Sequence, residues 1–312
     1  MLKRKTIAAV LSCAALGMSF SAFAASKAEQ ELVAYLSSMG IEESFTWQRI
    51  EGDSLSDATI YGITYISDKG TEDEKTILIK EMDFDEYKVT DDSVTVDVTY
   101  QGITDEEGTH LLLSEQLQPE LYFRNLGYEQ LDDIEVQLSY EMQKASGGLE
   151  GSFEITQDEV ADVLLDFKTE GLDMLIEKLA DLDIAALDPN VILVGAMATK
   201  IHKIELQFDD DGFNKRRMDF TPNHASSVEE QYQECVESLS EFNLQDREQA
   251  CVAIRDYLLD KDDRLRISMN PAKPFSIGQY MPMFMLLSNS GPQAMQQLVQ
   301  RILSELNLQV SN

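Results

Sequence analysis

Cys235 and Cys251 are the residues whose type and spacing bear most directly on chemistry. Two thiols in the segment QECVESLSEFNLQDREQAC could hold a metal, cycle as a redox pair or close a disulfide. A zinc site needs further Cys, His or carboxylate ligands, and no histidine stands at metal spacing here. A thioredoxin-type pair needs C-x-x-C, which is absent. What remains is a disulfide or two buried free thiols. Ser227-Val228-Glu229-Glu230 reads as a capping box. Tyr232, Cys235, Val236, Leu239 and Phe242 then recur at helical spacing. Asn243 offers a second N-cap, and Cys251, Ile254 and Leu258 form the stripe of a second helix. Each cysteine lies eight residues from Asn243, so a helical hairpin turning there sets the two face to face. The expectation is a disulfide, contributing about 3 kcal/mol by restricting the unfolded chain.

Little other chemistry is signalled. The three histidines, His110, His202 and His224, belong to no H-E-x-x-H, and neither a G-x-S-x-G elbow nor a Walker-type phosphate loop is present. Asp209-Asp210-Asp211-Gly212 looks like part of a calcium loop. The full pattern requires acids at positions held here by Gln207 and Met218, so a turn after the strand Ile204-Leu206-Phe208 is the simpler reading. With 57 Asp and Glu, carboxylate pairs occur everywhere by chance and none can be singled out for glycosidase-type work. No catalytic, cofactor-binding or metal residue is nominated. Met281-Pro282-Met283-Phe284-Met285-Leu286-Leu287 could line a lipid or partner groove; the expectation is a core segment under a sheet.

The N-terminus bears on location. Lys3, Arg4 and Lys5 precede an uncharged stretch rich in Ala and Ser, and Ala22-Phe23-Ala24 fits the small-x-small cleavage rule. Cleavage between Ala24 and Ala25, with export to a periplasm or beyond, is expected; a lipoprotein signal ending at Cys13 is the alternative. Removing residues 1–24 takes away three positive charges and no negative ones, moving the net charge from −32 to −35. A field of that sign repels phosphate backbones and anionic head groups and argues against nucleic-acid binding. No other segment is long and apolar enough to span a membrane.

The elements that must position these residues follow from periodicity. KAEQELVAYLSSM, residues 27–39, is a short amphipathic helix ending at Gly40. Val94, Val96, Val98 and Tyr100 alternate with polar residues, as do Ile134, Val136, Leu138, Tyr140 and Met142. After Ala145-Ser146-Gly147-Gly148 the alternation resumes at Leu149, Phe153 and Ile155, which predicts a β-hairpin. Similar runs span 57–67, 75–84, 120–126, 160–167, 201–208 and 264–269. Helices are expected near 170–182 and from Gly291-Pro292 onward, with Met295, Leu298, Val299, Ile302 and Leu306 as the stripe of the latter. Alternation buries one face per strand, which favours antiparallel pairing. The predicted class is α+β: a curved, mainly antiparallel sheet with helices packed on its apolar face, plus a C-terminal helical hairpin region. Residues 25–188 make a strand-rich half and 189–312 a mixed half, joined as one continuous domain.

The run from Ile134 to Phe167, taken with RISMNPAKP in the Leu265–Pro274 segment, resembles uncharacterised exported proteobacterial proteins and, more loosely, the AsmA-like envelope proteins. The resemblance implies a long curved sheet and a role in lipid handling or outer-membrane homeostasis; it carries no functional residues. The expected function is therefore that of a non-enzymatic envelope protein, binding or structural, whose partner is an apolar ligand, a lipid or another envelope protein. A secreted hydrolase is the alternative.

Overall fold

Alternation of apolar and polar side chains, read across paired strands, builds one long sheet with two unlike faces. The computed structural model describes residues 26–72, 74–115, 123–172, 195, 197–241, 247–287 and 292–312. Its strands are β1 (Phe45–Thr46), β2 (Arg49–Glu51), β3 (Thr59–Ser67), β4 (Lys75–Val89), β5 (Ser93–Asp105) and β6 (Glu135–Gln143). They continue with β7 (Gly148–Gln157), β8 (Ala161–Glu170), β9 (Lys200–Asp210), β10 (Arg264–Met269), β11 (Phe275–Ser276) and β12 (Leu308–Ser311). All pairings are antiparallel, in the order β1-β3-β4-β5-β6-β7-β8-β9-β10-β12, with β2 beside β3 and β11 beside β9; the sheet does not close.

Register makes the faces explicit. One row across the sheet reads Val98, Leu138, Phe153, Leu165, Leu206, Ile267 and Val310. The adjacent row, shifted by one residue, reads Asp97, Ser139, Ser152, Asp166, Glu205, Ser268 and Gln309. Because successive side chains point to opposite faces, the first row is apolar throughout and the second is polar throughout. The polar face is laced by ion pairs such as Lys203 to Asp166 at 3.3 Å and Arg266 to Glu205 at 2.6 Å.

Helices cover the two ends of the apolar face. At one end α1 (Lys27–Ser38) is capped by Ser26, whose hydroxyl accepts the Glu29 amide at 3.1 Å. It buries Leu32, Tyr35 and Leu36 against Ile60, Met82, Phe84, Val96 and Val98. The Tyr35 ring meets Phe84 edge-on, with 5.4 Å between centroids. Five more α-helices are described: α2 (Phe213–Phe220), α3 (His224–Glu241), α4 (Arg247–Leu258), α5 (Met281–Leu287) and α6 (Pro292–Leu306). At the far end α4 packs Ala253 and Tyr257 on Leu265, with Phe208 and Val310 beside them. Leu298 of α6 packs with Phe275 and Tyr280 beside Ile201. Among the described residues, no helix is long and apolar enough to cross a membrane.

Several expectations change. Residues 120–126 are not a strand where described: Phe123–Leu126 forms a 3-10 turn, with Phe123 in a small cluster with Leu113, Tyr128 and Val160. The helix carrying Cys235 starts at His224 rather than after Ser227, because the chain turns at Asn223 (φ 64°) and the Ser227 amide bonds Asn223 O at 3.0 Å. The Met-rich stretch is not core. It is the helix α5, with Phe284 48% and Leu286 73% exposed. The helix expected near 170–182, the Asp188 boundary and the Asn243 turn lie outside the described residues, apart from Glu170 ending β8 and Gly171-Leu172 beyond it.

Candidate functional site

Between the two helical caps lies a stretch of apolar sheet that no described helix covers. Phe153 of β7, Leu165 and Phe167 of β8, and Ile204 and Leu206 of β9 point to the same face as the covered rows. None of them belongs to the buried clusters under the caps, and each stays partly open to solvent. These positions lie on three strands, β7 to β9, which at about 4.8 Å spacing give a floor about 10 Å wide between the covered ends. Its walls are aromatic on one side, where Tyr140 joins the cluster under α1, and Phe208 with Tyr257 on the other. Gly151 stands in the floor between Tyr140 and Phe167. A Cβ there would come within 2.2 Å of the Ser139 carbonyl oxygen, so the close approach of β6 and β7 requires glycine.

The tyrosines along this face are neutral under ordinary conditions. Burial is the largest influence on each: it pushes Tyr35 and Tyr140 above the usual phenol range and Tyr257 up to about 12. They act as apolar bodies with a weakly polar tip, suited to lining a groove and poor as acids.

The residues singled out from the sequence do not gather at this floor. Cys235 and Cys251 form a disulfide with Cα atoms 6.0 Å apart, joining α3 to α4. Beside it lies a cavity of about 40 Å³ lined by Val228, Tyr232, Ile254 and Leu258, far below the several hundred Å³ of a small-molecule site. Ala24, Ala25 and Cys13 lie outside the described residues. His202 is 3.1 Å from Glu170, and the buried His224 meets the Leu258 carbonyl at 3.1 Å. His110 caps a 3-10 turn over Leu111–Leu113, its Nδ1 accepting the Leu112 amide at 3.2 Å.

Each carboxylate of the Asp209–Asp211 turn has a structural task. Asp209 pairs with Arg264. Asp210 accepts the Gly212 amide at 3.1 Å and the Asn214 amide at 2.9 Å, which caps α2. Asp211 accepts the Glu159 amide at 2.7 Å. Among the described residues no group of three or more His, Cys, Asp or Glu is arranged to hold a metal. Two carboxyls are raised above their ordinary range: Asp162, by burial and then by Asp209, Asp211 and Asp158, and Asp210, by burial and then by Asp260 and Asp211. Asp210 pairs with Ala161, so by parity it and Asp162 project from opposite faces and cannot work as an acid–base couple.

This floor, covered by no described helix, escaped the sequence reading because its residues give the same alternating signal as any half-buried strand. Only register aligned across successive strands turns isolated apolar positions into a surface. The one sequence signal that points there is the run of near-equal alternating strands without a helix between them from Glu135 to Glu170.

A family model described only as an uncharacterized protein matches residues 154–312, from the middle of β7 through β12. Among curated proteins none matches the chain.

Proposed function

We propose, for a chain that belongs to this family of uncharacterised proteins, the role of an exported, non-enzymatic envelope protein. It holds the acyl chains of a lipid on the apolar floor between its two helical caps. The observation that carries this reading is the row Phe153, Leu165 and Leu206, apolar, in register and partly open to solvent between two covered ends. Contiguous apolar surface that stays open to solvent commonly marks a binding site. Each methylene moved from water onto such a floor contributes about 0.8 kcal/mol. A linear chain running along the strands meets apolar side chains at every second residue. The leader-like N-terminus and the likeness of the Ile134–Phe167 run to AsmA-like sheets point the same way.

The experiment is native mass spectrometry of protein purified from the compartment of its own cells. Wild-type protein is expected to carry an added mass that fragments as an acyl lipid. Leu165→Glu and, separately, Phe153→Ser should lose it while keeping the far-ultraviolet circular dichroism of the sheet. A bare polypeptide mass for folded wild-type protein would overturn the proposal.

A further inference from the structure

Two buried polar atoms at one end of the sheet lack hydrogen-bond partners, and they are complementary. His110 Nε2 is shielded from solvent and has none. Gln157, 2% exposed at the end of β7, donates through Nε2 to the carbonyls of Asp132 at 3.2 Å and Asp158 at 3.4 Å, and leaves its Oε1 without a partner. The tautomer of His110 follows from its other nitrogen. Nδ1 accepts the Leu112 amide, so it carries no proton and Nε2 carries one. A buried N–H donor and a buried carbonyl acceptor, each costly to leave unpaired, are therefore complementary, and the His110 ring lies within reach of the Gln157 side chain and the Asp132 carbonyl.

We infer that His110 Nε2–H and Gln157 Oε1 form a latch. It ties the segment between β5 and β6 to the β7–β8 turn, and it opens when His110 takes up a second proton. Protonation can occur only at Nδ1, where the new N–H would point at the Leu112 N–H. Two donors then oppose each other, the cap on Leu111–Leu113 is lost, and with it the placement of Leu113 in the cluster with Phe123, Tyr128 and Val160.

The surroundings support this. Burial is the largest influence on His110 and depresses its pKa, outweighing the opposing effects of Gln157, the Asp132 carbonyl and the Asp133 charge. Asp133, in the lead-in to β6, is held by Lys80 of β4 at 2.5 Å. From the β7–β8 turn the neutral Gln157 faces the ring. The Asp105 carboxylate on the histidine's own loop is occupied by the amides of Glu107 and Thr109 and the hydroxyl of Ser114. A histidine whose folded pKa is depressed contributes stability that is present above the unfolded value of about 6.5 and is lost as the pH falls through the folded value.

Hydrogen exchange of the full chain at about pH 8 and about pH 5, on either side of that value, tests the latch after correction for intrinsic rates. Residues 108–114 of wild-type protein should lose protection on acidification, as the pH falls through the folded value. His110→Asn keeps an acceptor for the Leu112 amide but does not titrate, and its protection should be the same at both pH values. Equal loss in both proteins, or no loss in the wild type, overturns the proposal. Nitrogen NMR of the wild-type imidazole at about pH 8 is an independent readout: Nε2–H is expected, and an Nδ1–H tautomer would refute the latch without any variant having to fold.

Discussion

Asp162 of β8 and Asp209 of β9 stand directly opposite one another on the polar face of the sheet. Two carboxylates thus share one cross-strand position, and Arg264 of β10, opposite Asp209 on its other side, neutralises only one of them. Burial is the largest influence raising the Asp162 carboxyl above its ordinary range, and the like charge of Asp209 opposite it adds to the cost.

Asp162→Asn should therefore stabilise the protein at neutral pH by roughly 0.5 kcal/mol, the scale of a cross-strand pair. The amide keeps an acceptor for the Gln157 backbone N–H that now bonds the carboxylate. A raised carboxyl pKa penalises the folded state at high pH, and the penalty disappears as the pH falls through the folded value. The advantage of the variant should shrink on acidification. Urea unfolding at neutral and acidic pH measures both; a variant no more stable than wild type at neutral pH would contradict the charge reading.

Asp105 shows the opposite sign. It is 4% exposed, and its carboxylate accepts the Glu107 amide at 3.0 Å, the Thr109 amide at 2.8 Å and the Ser114 hydroxyl at 2.6 Å. Burial, the largest single influence, would raise its pKa, but these hydrogen bonds together outweigh it and hold the carboxyl below its ordinary range. Asp105→Ala should cost about 1–3 kcal/mol by leaving the two amides and the hydroxyl unpaired. The wild-type contribution is present above the unfolded carboxyl value of about 3.9 and lost as the pH falls through the folded one. Thermal unfolding as a function of pH, compared with the alanine variant, should show the two curves converging in acid.

The Cys235–Cys251 bond closes a loop of 16 residues, for which the chain-entropy account predicts about 3 kcal/mol. Reduction, or the double change Cys235→Ser with Cys251→Ser, should lower stability by up to that amount. The sheet should survive, since the bridge joins α3 to α4 rather than two strands. Non-reduced peptide mapping should recover both cysteines in one species. Two alkylatable thiols in unreduced, denatured protein from the native compartment would contradict the bond.

Much of the sheet was legible because a two-residue period has one physical cause. Arg264–Met269 was placed to the residue, the Ile134–Ile155 hairpin was recovered, and 75–84 was found but stops short of Val89. β1, β2, β11 and β12 were not found. Strands of two to four residues have no period of their own, and hydrogen bonds to β3, β9 or β10 make them strands. The helix α2 was missed because Phe213–Phe220 is mostly charged and polar, and its start depends on Asp210 reaching forward to the Asn214 amide. The start of α3 was misplaced because Ser227 and Glu230 satisfy a capping pattern that the turn at Asn223 pre-empts.

By itself, the sequence determined which side of each long strand is apolar, because backbone pleating converts alternation into faces wherever a strand forms. It also determined that the cysteines in this segment lie at a spacing suited to a bond between two helices. Register, and therefore the alignment of Phe153 with Leu165 and Leu206 into one floor, was decided only in the tertiary structure. So was the exposure of Phe284 and Leu286 in a segment that reads as core. Whether an apolar face is covered depends on where helices distant in sequence come to rest. The meeting of His110 with Gln157 depends likewise on three chain segments ending at one corner of the sheet. Contacts of that kind leave no local period, because neither partner's neighbours in sequence share in them.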